Sequence, residues 1–509
     1  MRSVWEMGCV LGVLGAACGG ARADGLRVAT WNITRYDGGF EADIARVVYG
    51  QFQGRSMSPD AIMVQEFRQR ASYDSFLRAL NTAVGSPGDW VASPYRDGTG
   101  MDTHLFYRAS KLRLVGVSVV ALGGPSPDHP RDPMRYDVQP IGYISASTVL
   151  SIYSAHFQAG STAEEQLRRH NEAKEIRASA AALPVGRPFL FGADLNVQDS
   201  GQAAYVELIA PAPPSDPAGL GRFYDPIATP GPWRNNPAYR FVHTQDPVVG
   251  GTGMDDRYDQ ILISPELCDG VGIDYIGEAG TPFSNTTWND PNHSYRAVGN
   301  DGTTFNQPIA TTTNAFVGPD IARSIQTLGK DAGHVPVYLD LRMPPKLGAD
   351  IVLDLGQVRP GQEITLPVWH AGDIALWGQS GLSALEVELT DSGPGVEFRP
   401  ATQTIAPGGR GSFSGRVAAA PGSVPGPLQG SIILESSDPD RSFLFIFVRG
   451  TLLPACVADV TGDGQVDSGD LSAFIAAFLT QSASADLSFD GQVDSGDLSI
   501  FIEAFVGGC

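Results

Sequence analysis

The chain has 509 residues, 42% of them hydrophobic and 18% charged, a composition ordinary for soluble proteins and a length that predicts about three domains rather than one core. No apolar run beyond the N-terminus reaches the ~18 residues that a membrane span requires. The formal charge of −21 makes for a poor non-specific nucleic-acid binder, whose affinity comes from neutralising phosphates; nine of the acids fall in Cys456–Cys509, which has no Lys or Arg, so acidity only mildly disfavours a nucleic-acid substrate.

The N-terminus carries Arg2, an apolar and small stretch over Cys9–Ala17, and Ala21-Arg22-Ala23, which fits a small-residue cleavage site. Residues 1–23 are therefore expected to be a signal peptide, and the protein secreted, cell-surface or periplasmic. Cys18, after Leu14-Gly15-Ala16-Ala17, leaves a lipid-anchored variant open. Of five cysteines, cleavage would leave Cys268, Cys456 and Cys509; the last two bracket the C-terminal segment, and export would permit them to pair.

After the leader, Leu26–Trp31 and Ala61–Gln65 are short β-prone runs, with helical patterning over Phe40–Tyr49 and Tyr73–Val84. Met101–Tyr107 and Leu112–Val120 look like strands, and Ile141–His156 like two strands or a hairpin. Ala163–Leu183 is a long helix with Ser161 or Thr162 as its cap. Pro188–Gly192, Asp259–Ser264 and Val335–Leu341 are further strands. Strands alternating with helices predict a mixed α+β domain over 24–343. Asp199–Asp256 and Gly277–Thr312, rich in Pro, Gly, Asn and Thr, read as long surface loops.

Met343-Pro344-Pro345 marks a linker. Short alternating segments then predict an all-β sandwich over 347–453, and Glu435-Ser436-Ser437-Asp438-Pro439-Asp440 resembles a turn in immunoglobulin-like modules of secreted bacterial proteins. Residues 456–509 hold an internal repeat, Asp459 to Asp470 and Asp486 to Asp497, each copy leading into an apolar helix, Leu471–Leu479 and Leu498–Val506. Asp459, Thr461, Asp463, Gln465, Asp467 and Asp470 in the first copy, and Asp486, Ser488, Asp490, Gln492, Asp494 and Asp497 in the second, occupy the alternating positions from which a twelve-residue loop gives oxygens to Ca²⁺, with Gly464 and Gly491 at the sharp turn. Position twelve is Asp rather than Glu. The repeat resembles type I dockerin modules, with both loops matching. The resemblance implies calcium-dependent folding and docking to a cohesin-like or cell-envelope partner.

Six short stretches end in groups suited to phosphate-ester chemistry: Asn32 after Ala29-Thr30-Trp31, Glu66 after Met63-Val64-Gln65, His156 after Tyr153-Ser154-Ala155, Asp194 and Asn196 around Leu195, Asp259 after Arg257-Tyr258, and His334 after Gly333. Such hydrolysis needs a hard cation on the phosphoryl oxygens, a base for water, and an acid for the leaving oxygen. Singly, each residue is as consistent with a turn, a cap or a core histidine. In this order they resemble the endonuclease/exonuclease/phosphatase superfamily over about Leu26–Leu341. That resemblance implies a DNase I-like fold, a four-layer sandwich of two sheets flanked by helices. It implies Glu66 as principal ligand of Mg²⁺ or Mn²⁺ with Asn32 helping to hold metal or phosphate, Asp194 as the residue that positions or deprotonates water, Asn196 orienting the phosphate, His156 and His334 stabilising the phosphoryl group and moving protons, and Asp259 orienting His334. Where the superfamily commonly has Asp before the last histidine, this chain has Gly333, with Asp331 two residues earlier.

Arg257, beside the Asp259 strand, is a candidate substrate-binding residue, and Arg168, Arg169 and Lys174 are further cations on a helix after His156. The leading expectation is a phosphodiesterase or endonuclease for extracellular nucleic acid. Sphingomyelinase and inositol-phosphate phosphatase are alternatives within the same superfamily, and a non-catalytic surface-anchored binding protein is the alternative outside it. No basic stripe with interleaved aromatics selects nucleic acid, and no amphipathic segment selects lipid.

Overall fold

The structure, a computed structural model, describes residues 24–212, 218–330, 332–418, 424–453, 456–461, 465–488 and 490–507. The expected signal peptide, Asp331, the loop residue Asp463 and the terminal Cys509 lie outside the described residues. Two compact units are present: one comprises the described residues up to Ile141 with Leu150–Cys268 and Tyr275–Leu341, the other Gly142–Val149, Asp269–Asp274 and the chain from Arg342 onward.

The first unit is built from β1 (Leu26–Tyr36), α1 (Glu41–Tyr49), β2 (Ala61–Phe67), α2 (Arg70–Thr82), β3 (Trp90–Ala92), β4 (Asp102–Arg108), β5 (Leu112–Val119), β6 (Met134–Pro140), β7 (Leu150–His156), α3 (Ala163–Ala181), β8 (Phe189–Asp194), α4 (Ala203–Ile209), β9 (Asp259–Ile263), β10 (Asp274–Tyr275), β11 (Arg296–Ala297), α5 (Gly318–Gly329) and β12 (Val337–Arg342). One sheet has the order β10-β12-β1-β2-β4-β3, with β11 beside β12; the other has the order β5-β6-β7-β8-β9. Strands β2, β4, β7 and β8 are buried along their whole length, as expected of strands covered on both faces. Helices α1, α2 and α5 share a core with the first sheet through Ile44, Phe76, Ile321 and Ile325. Helix α3 covers the second through Ala173, Ile176 and Ala180 against Tyr153 and Phe191. The result is four layers, helix–sheet–sheet–helix.

The sheets approach closely where a side chain is missing. A Cβ on Gly192 would stand 2.7 Å from Met63 Sδ and 3.0 Å from Thr30 Cβ. The same interface buries polar groups that partner one another: Gln65 Nε2 donates to Thr30 Oγ1 at 3.0 Å and Ser154 Oγ at 3.1 Å, while Gln65 Oε1 is buried without a hydrogen-bond partner. Buried amides and hydroxyls are tolerated only with such partners.

Several elements differ from the sequence reading. Ile141–His156 is not a hairpin: β6 ends at Pro140, a 3₁₀ turn covers Ala146–Thr148, and only Leu150–His156 is strand. Helix α5 lies just beyond a Pro/Gly/Asn/Thr-rich stretch that masks its start. Thr162 caps α3 through a reciprocal capping box with Glu165, as its position before the helix implies.

In the second unit, β13 (Leu347–Gly348), β14 (Val352–Val358), β15 (Glu363–His370), β16 (Leu385–Ser392), β17 (Gly395–Phe398), β18 (Ala401–Ile405), β19 (Arg410–Ala418), β20 (Gly426–Ser436) and β21 (Phe443–Leu452) form two sheets, β13-β15-β19-β17 and β14-β21-β20-β16-β18. Alternating residues of both sheets, among them Leu366, Val387, Phe413, Leu434 and Ile446, share one core, and the short helix α6 (Ile374–Trp377) joins β15 to β16. Helices α7 (Ser468–Leu479) and α8 (Ser495–Gly507) follow, with Phe474 and Phe501 stacked at 4.1 Å between ring centroids. Among the described residues no helix is long and apolar enough to cross a membrane.

Candidate active site and calcium loops

Strand direction gathers the site. Strands β1 and β2 run parallel, as do β7 and β8, so Asn32, Glu66, His156 and Asp194 all lie at C-terminal strand ends. Strands β9 and β12 run antiparallel to β8 and β1, so Asp259, which opens β9, and His334, just before β12, fall at the same end. Across the second sheet, His156 is the register partner of Asp194, and Asp194 that of Asp259. The six residues are at most 8% exposed.

The backbone turns sharply there. The β1–β2 register shifts between Asn32 and Tyr36. Glu66 has φ 70° and Asn196 φ 50°, and Thr34 and Arg35 are likewise left-handed. Non-glycine residues adopt this region at a cost, and they concentrate at functional sites.

Asn32 Nδ2 donates to Glu66 Oε1 at 3.0 Å and to Asp194 Oδ2 at 2.9 Å. Its Oδ1 is taken by the Thr34 N–H at 2.9 Å. Asn32 therefore braces two carboxylates, and one of the two lone pairs of its Oδ1 is taken by the Thr34 N–H. The Arg35 N–H donates to Glu66 Oε2 at 2.6 Å. His156 Nδ1 stands 3.6 Å from Glu66 Oε1, and its Nε2 3.4 Å from Asp194 Oδ2. Asn196 Nδ2 donates to Phe157 O at 3.2 Å, and its N–H to Asp194 Oδ1 at 3.0 Å. His334 Nδ1 lies 2.7 Å from Asp259 Oδ2, and its Nε2 3.8 Å from Asp194 Oδ2 and 3.4 Å from Gln245 Nε2.

The two histidines are driven to opposite protonation states. Burial opposes charge on His334, but the negative charge of Asp259 and Asp194 and the Asp259 hydrogen bond outweigh it and raise the imidazole to about 10. Burial, reinforced by the cations Arg131 and His334, pushes His156 well below the usual histidine range. Burial raises the Asp194 carboxyl to about 6, with His334 pulling the other way. Titratable neighbours pushed apart in this manner mark an acid and a base held ready in one site.

Asp194, Asp259 and His334 present ligand-capable atoms within 4.8 Å of one another. Their carboxylate oxygens and the imidazole are the donors available there. Glu66, Asp194 and Asp259 suit a hard divalent cation, and Asp259 Oδ1 is buried with no hydrogen-bond partner.

Arg257 does not face this cleft. It is fully buried, its guanidinium pairs with both oxygens of Asp225 at 2.7 and 2.8 Å, and it lies over the Trp233 ring. Its charge is consumed inside the loop region, which corrects the expectation that it binds substrate. Arg168 and Arg169 are similarly committed, to the carbonyls of Asp128 and Gly124 and of Gln158 and Gly160.

Gly333 has a steric reason. A Cβ there would stand 2.5 Å from Gly329 Cα at the end of α5, so no Asp fits. Its N–H donates instead to Asp246 Oδ1 at 3.1 Å. Asp246 also accepts from Val248 N and Thr252 N, so it organises the loop beside His334. Sequence reading missed Asp246 and Gln245, which lie in a long Pro/Gly-rich loop with no local motif.

In the C-terminal segment, the position-twelve carboxylates close their loops identically. Asp470 accepts from Thr461 N at 2.8 Å and Asp467 N at 2.9 Å; Asp497 accepts from Ser488 N at 2.8 Å and Asp494 N at 2.9 Å. Cys456 is disulfide-bonded. Among the described residues, Ala458, Phe474, Ala485 and Phe501 form the buried cluster, too few to stabilise so small a module alone.

No curated protein matches the chain. Among solved structures it is similar to a humanized D. rerio TDP2, at 13% identity and TM-score 0.37 over 62% of this chain and 99% of that one. It is similar to the catalytic domain of human nocturnin, at 12% identity and TM-score 0.37 over 62% and 94%, and to an endonuclease/exonuclease/phosphatase from Beutenbergia cavernae, at 14% identity and TM-score 0.32 over 84% and 100%. The chain thus has structural neighbours in the endonuclease/exonuclease/phosphatase superfamily, and the family model of the dockerin type I domain matches its residues 457–505.

Proposed function

We propose that the protein is an exported, divalent-metal-dependent phosphoric ester hydrolase, acting as a phosphodiesterase or endonuclease on extracellular nucleic acid and docked through its C-terminal module to a cohesin-like or envelope partner. The observation that carries the reading is the convergence of Glu66, His156, Asp194, Asp259 and His334, from residues far apart in sequence, in one buried cluster.

Glu66, with Asn32 beside it, would hold Mg²⁺ or Mn²⁺, which would supply charge neutralisation at the phosphoryl oxygens. Asp194 positions or deprotonates the attacking water. Asn196 orients the phosphate. The Nδ1 proton of His334 is committed to Asp259, so its Nε2–H is the donor that meets the leaving oxygen. Neutral His156 contributes a hydrogen bond without adding charge. Ca²⁺ in the two C-terminal loops is structural.

The test is hydrolysis of plasmid DNA, RNA, sphingomyelin, inositol phosphates and a chromogenic diester with Mg²⁺, Mn²⁺ or Ca²⁺. Diester and nucleic-acid cleavage, lost in Glu66→Ala and His334→Ala, is the expected outcome. Silence on every substrate favours a binding protein, and near-full activity in either variant overturns the residue roles.

A further inference from the structure

Three consecutive residues of the long loop between α4 and β9, Thr244-Gln245-Asp246, frame the Asp259–His334 pair. The backbone zips the two segments together: the Val335 N–H donates to Thr244 O at 2.9 Å, and Gln245 and His334 form an isolated antiparallel bridge. Each of the three side chains then meets a different group. Thr244 Oγ1 accepts from the Asp259 N–H at 3.0 Å. Asp246 Oδ1 accepts from the Gly333 N–H at 3.1 Å. Gln245 lies between them, with its Nε2 3.4 Å from His334 Nε2. On the other side of the loop, the Asp255 N–H donates to Gln245 O at 2.8 Å and the Gln245 N–H to Asp256 O at 3.2 Å. A backbone tied on both sides keeps the Gln245 side chain beside the ring.

The chemistry of the contact follows from the opposite edge of the ring. His334 Nδ1 is 2.7 Å from Asp259 Oδ2, so Nδ1 carries a hydrogen whether the ring is neutral or charged. Nε2 is then an acceptor on the neutral ring and a donor on the charged one. A glutamine amide serves both, because its NH2 donates, its oxygen accepts, and a half-turn of the terminal torsion exchanges them. That half-turn is open to Gln245. The residue is half-buried, its Oε1 is not sealed from solvent, and among the described residues its amide makes no other hydrogen bond. The next group at Nε2, Asp194 Oδ2, is 3.8 Å away and already accepts from the Asn32 amide. At 3.4 Å the Gln245 contact is itself long, so an incoming oxygen displaces it at little cost.

We infer that Gln245 is a positioning residue for His334, its side-chain amide holding Nε2 at the place that the leaving oxygen of the substrate takes over. Gly333 brings no side chain to the ring, so the aim of His334 is set by Asp259 at one nitrogen and by Gln245 at the other. The inference rests on the phosphoesterase reading for its effect on turnover, but not for the contact itself.

Two measurements on the full chain separate these dependencies, both with Gln245→Met, which keeps the length of the side chain and removes both ends of the amide. The first is kcat with Mn²⁺ on two diesters. A single-stranded oligonucleotide leaves as an alkoxide that needs the proton of His334, whereas bis(4-nitrophenyl) phosphate leaves as a stable phenolate that hardly does. Gln245→Met is expected to lose roughly tenfold or more in kcat on the first and to stay within about twofold on the second, with KM unchanged on both. The second is the nitrogen resonance of His334 Nε2 in the chain labelled at its histidine rings, which reports the contact without substrate. It is expected to move in Gln245→Met, while the Nδ1 resonance, set by Asp259, stays in place. An equal loss on both diesters marks a structural defect and overturns the inference, as does a wild-type kcat on the oligonucleotide or an Nε2 resonance that does not move. A wild-type chain whose Nε2 resonance depends on Gln245 but which cleaves neither diester overturns the functional reading and leaves the contact standing.

Discussion

His334 Nδ1 lies 2.7 Å from Asp259 Oδ2, and neither side chain is more than 5% exposed. At that distance in a water-excluded site, the carboxylate fixes both the ring orientation and the tautomer. Asp259→Asn keeps the shape but replaces the charge that raises His334 to about 10. The variant is expected to lose roughly 10³-fold or more in kcat on a diester substrate, with the melting temperature of the first unit little changed. A kcat within tenfold of wild type would remove the dyad from the mechanism.

Arg257→Met tests the opposite kind of residue. Deleting the guanidinium strands Asp225, whose carboxyl is held below the usual range by Arg257 against the effect of burial. Breaking one side of such a buried pair costs about 3–5 kcal/mol. Urea unfolding should show that loss, while KM for substrate in the folded fraction stays at the wild-type value. A raised KM with unchanged stability would return Arg257 to the substrate.

His104 gives the first unit a stability that depends on pH. It is 1% exposed, packed against Tyr73 and Tyr95, and its Nε2 has no partner. Burial, with a smaller contribution from Arg70, lowers it to about 3, against roughly 6.5 in the unfolded chain. Between those values the unfolded state binds a proton that the folded state refuses, so stability is full above about pH 6.5 and falls as pH drops toward 3, by up to about 1.4 kcal/mol per unit. His104→Phe keeps the ring and removes the titration. Its unfolding free energy should exceed the wild-type value at pH 5 by more than at pH 7, and a difference independent of pH would show that His104 does not carry the effect.

The polar groups stood out through their order along the chain, in which each flanks a short apolar strand: Glu66, His156 and Asp194 close strands, whereas Asp259 opens β9 and His334 precedes β12. Arg257 misled because a cation next to a catalytic strand looks available until its partner is known, and Asp225 lies 32 residues earlier in a loop without periodicity. The amide orientation of Asn32 depends on the Thr34 N–H, a bulge geometry that no pattern encodes. Gln245 and Asp246 escaped for the same reason: their positions are set by loops packing across the molecule. The hairpin expected over Ile141–His156 failed because the β6 strand, MRYDVQP, is too polar to stand out, and its apolar continuation past Pro140 is a turn.

The C-terminal module should respond to calcium alone. Among the described residues its apolar cluster has four buried members, two of them the stacked Phe474 and Phe501, while Asp470 and Asp497 accept backbone N–H groups within their acid-rich loops. Without a cation those acids repel one another and the small core cannot compensate, so Ca²⁺ binding is coupled to folding. A cation at a hundred times its dissociation constant contributes about 2.7 kcal/mol per site. Scanning calorimetry with EGTA in excess Mg²⁺ strips Ca²⁺ while leaving the proposed catalytic ion in place. The transition of residues 456–509 is expected to disappear or move down, with that of the first unit unmoved and diester hydrolysis retained. Asp470→Ala combined with Asp497→Ala should give the same trace in saturating Ca²⁺, since it opens both loops from within. Traces superimposable with and without chelator would mean that the acids are solvated turns and that the disulfide at Cys456 with the Phe pair is sufficient to hold the fold.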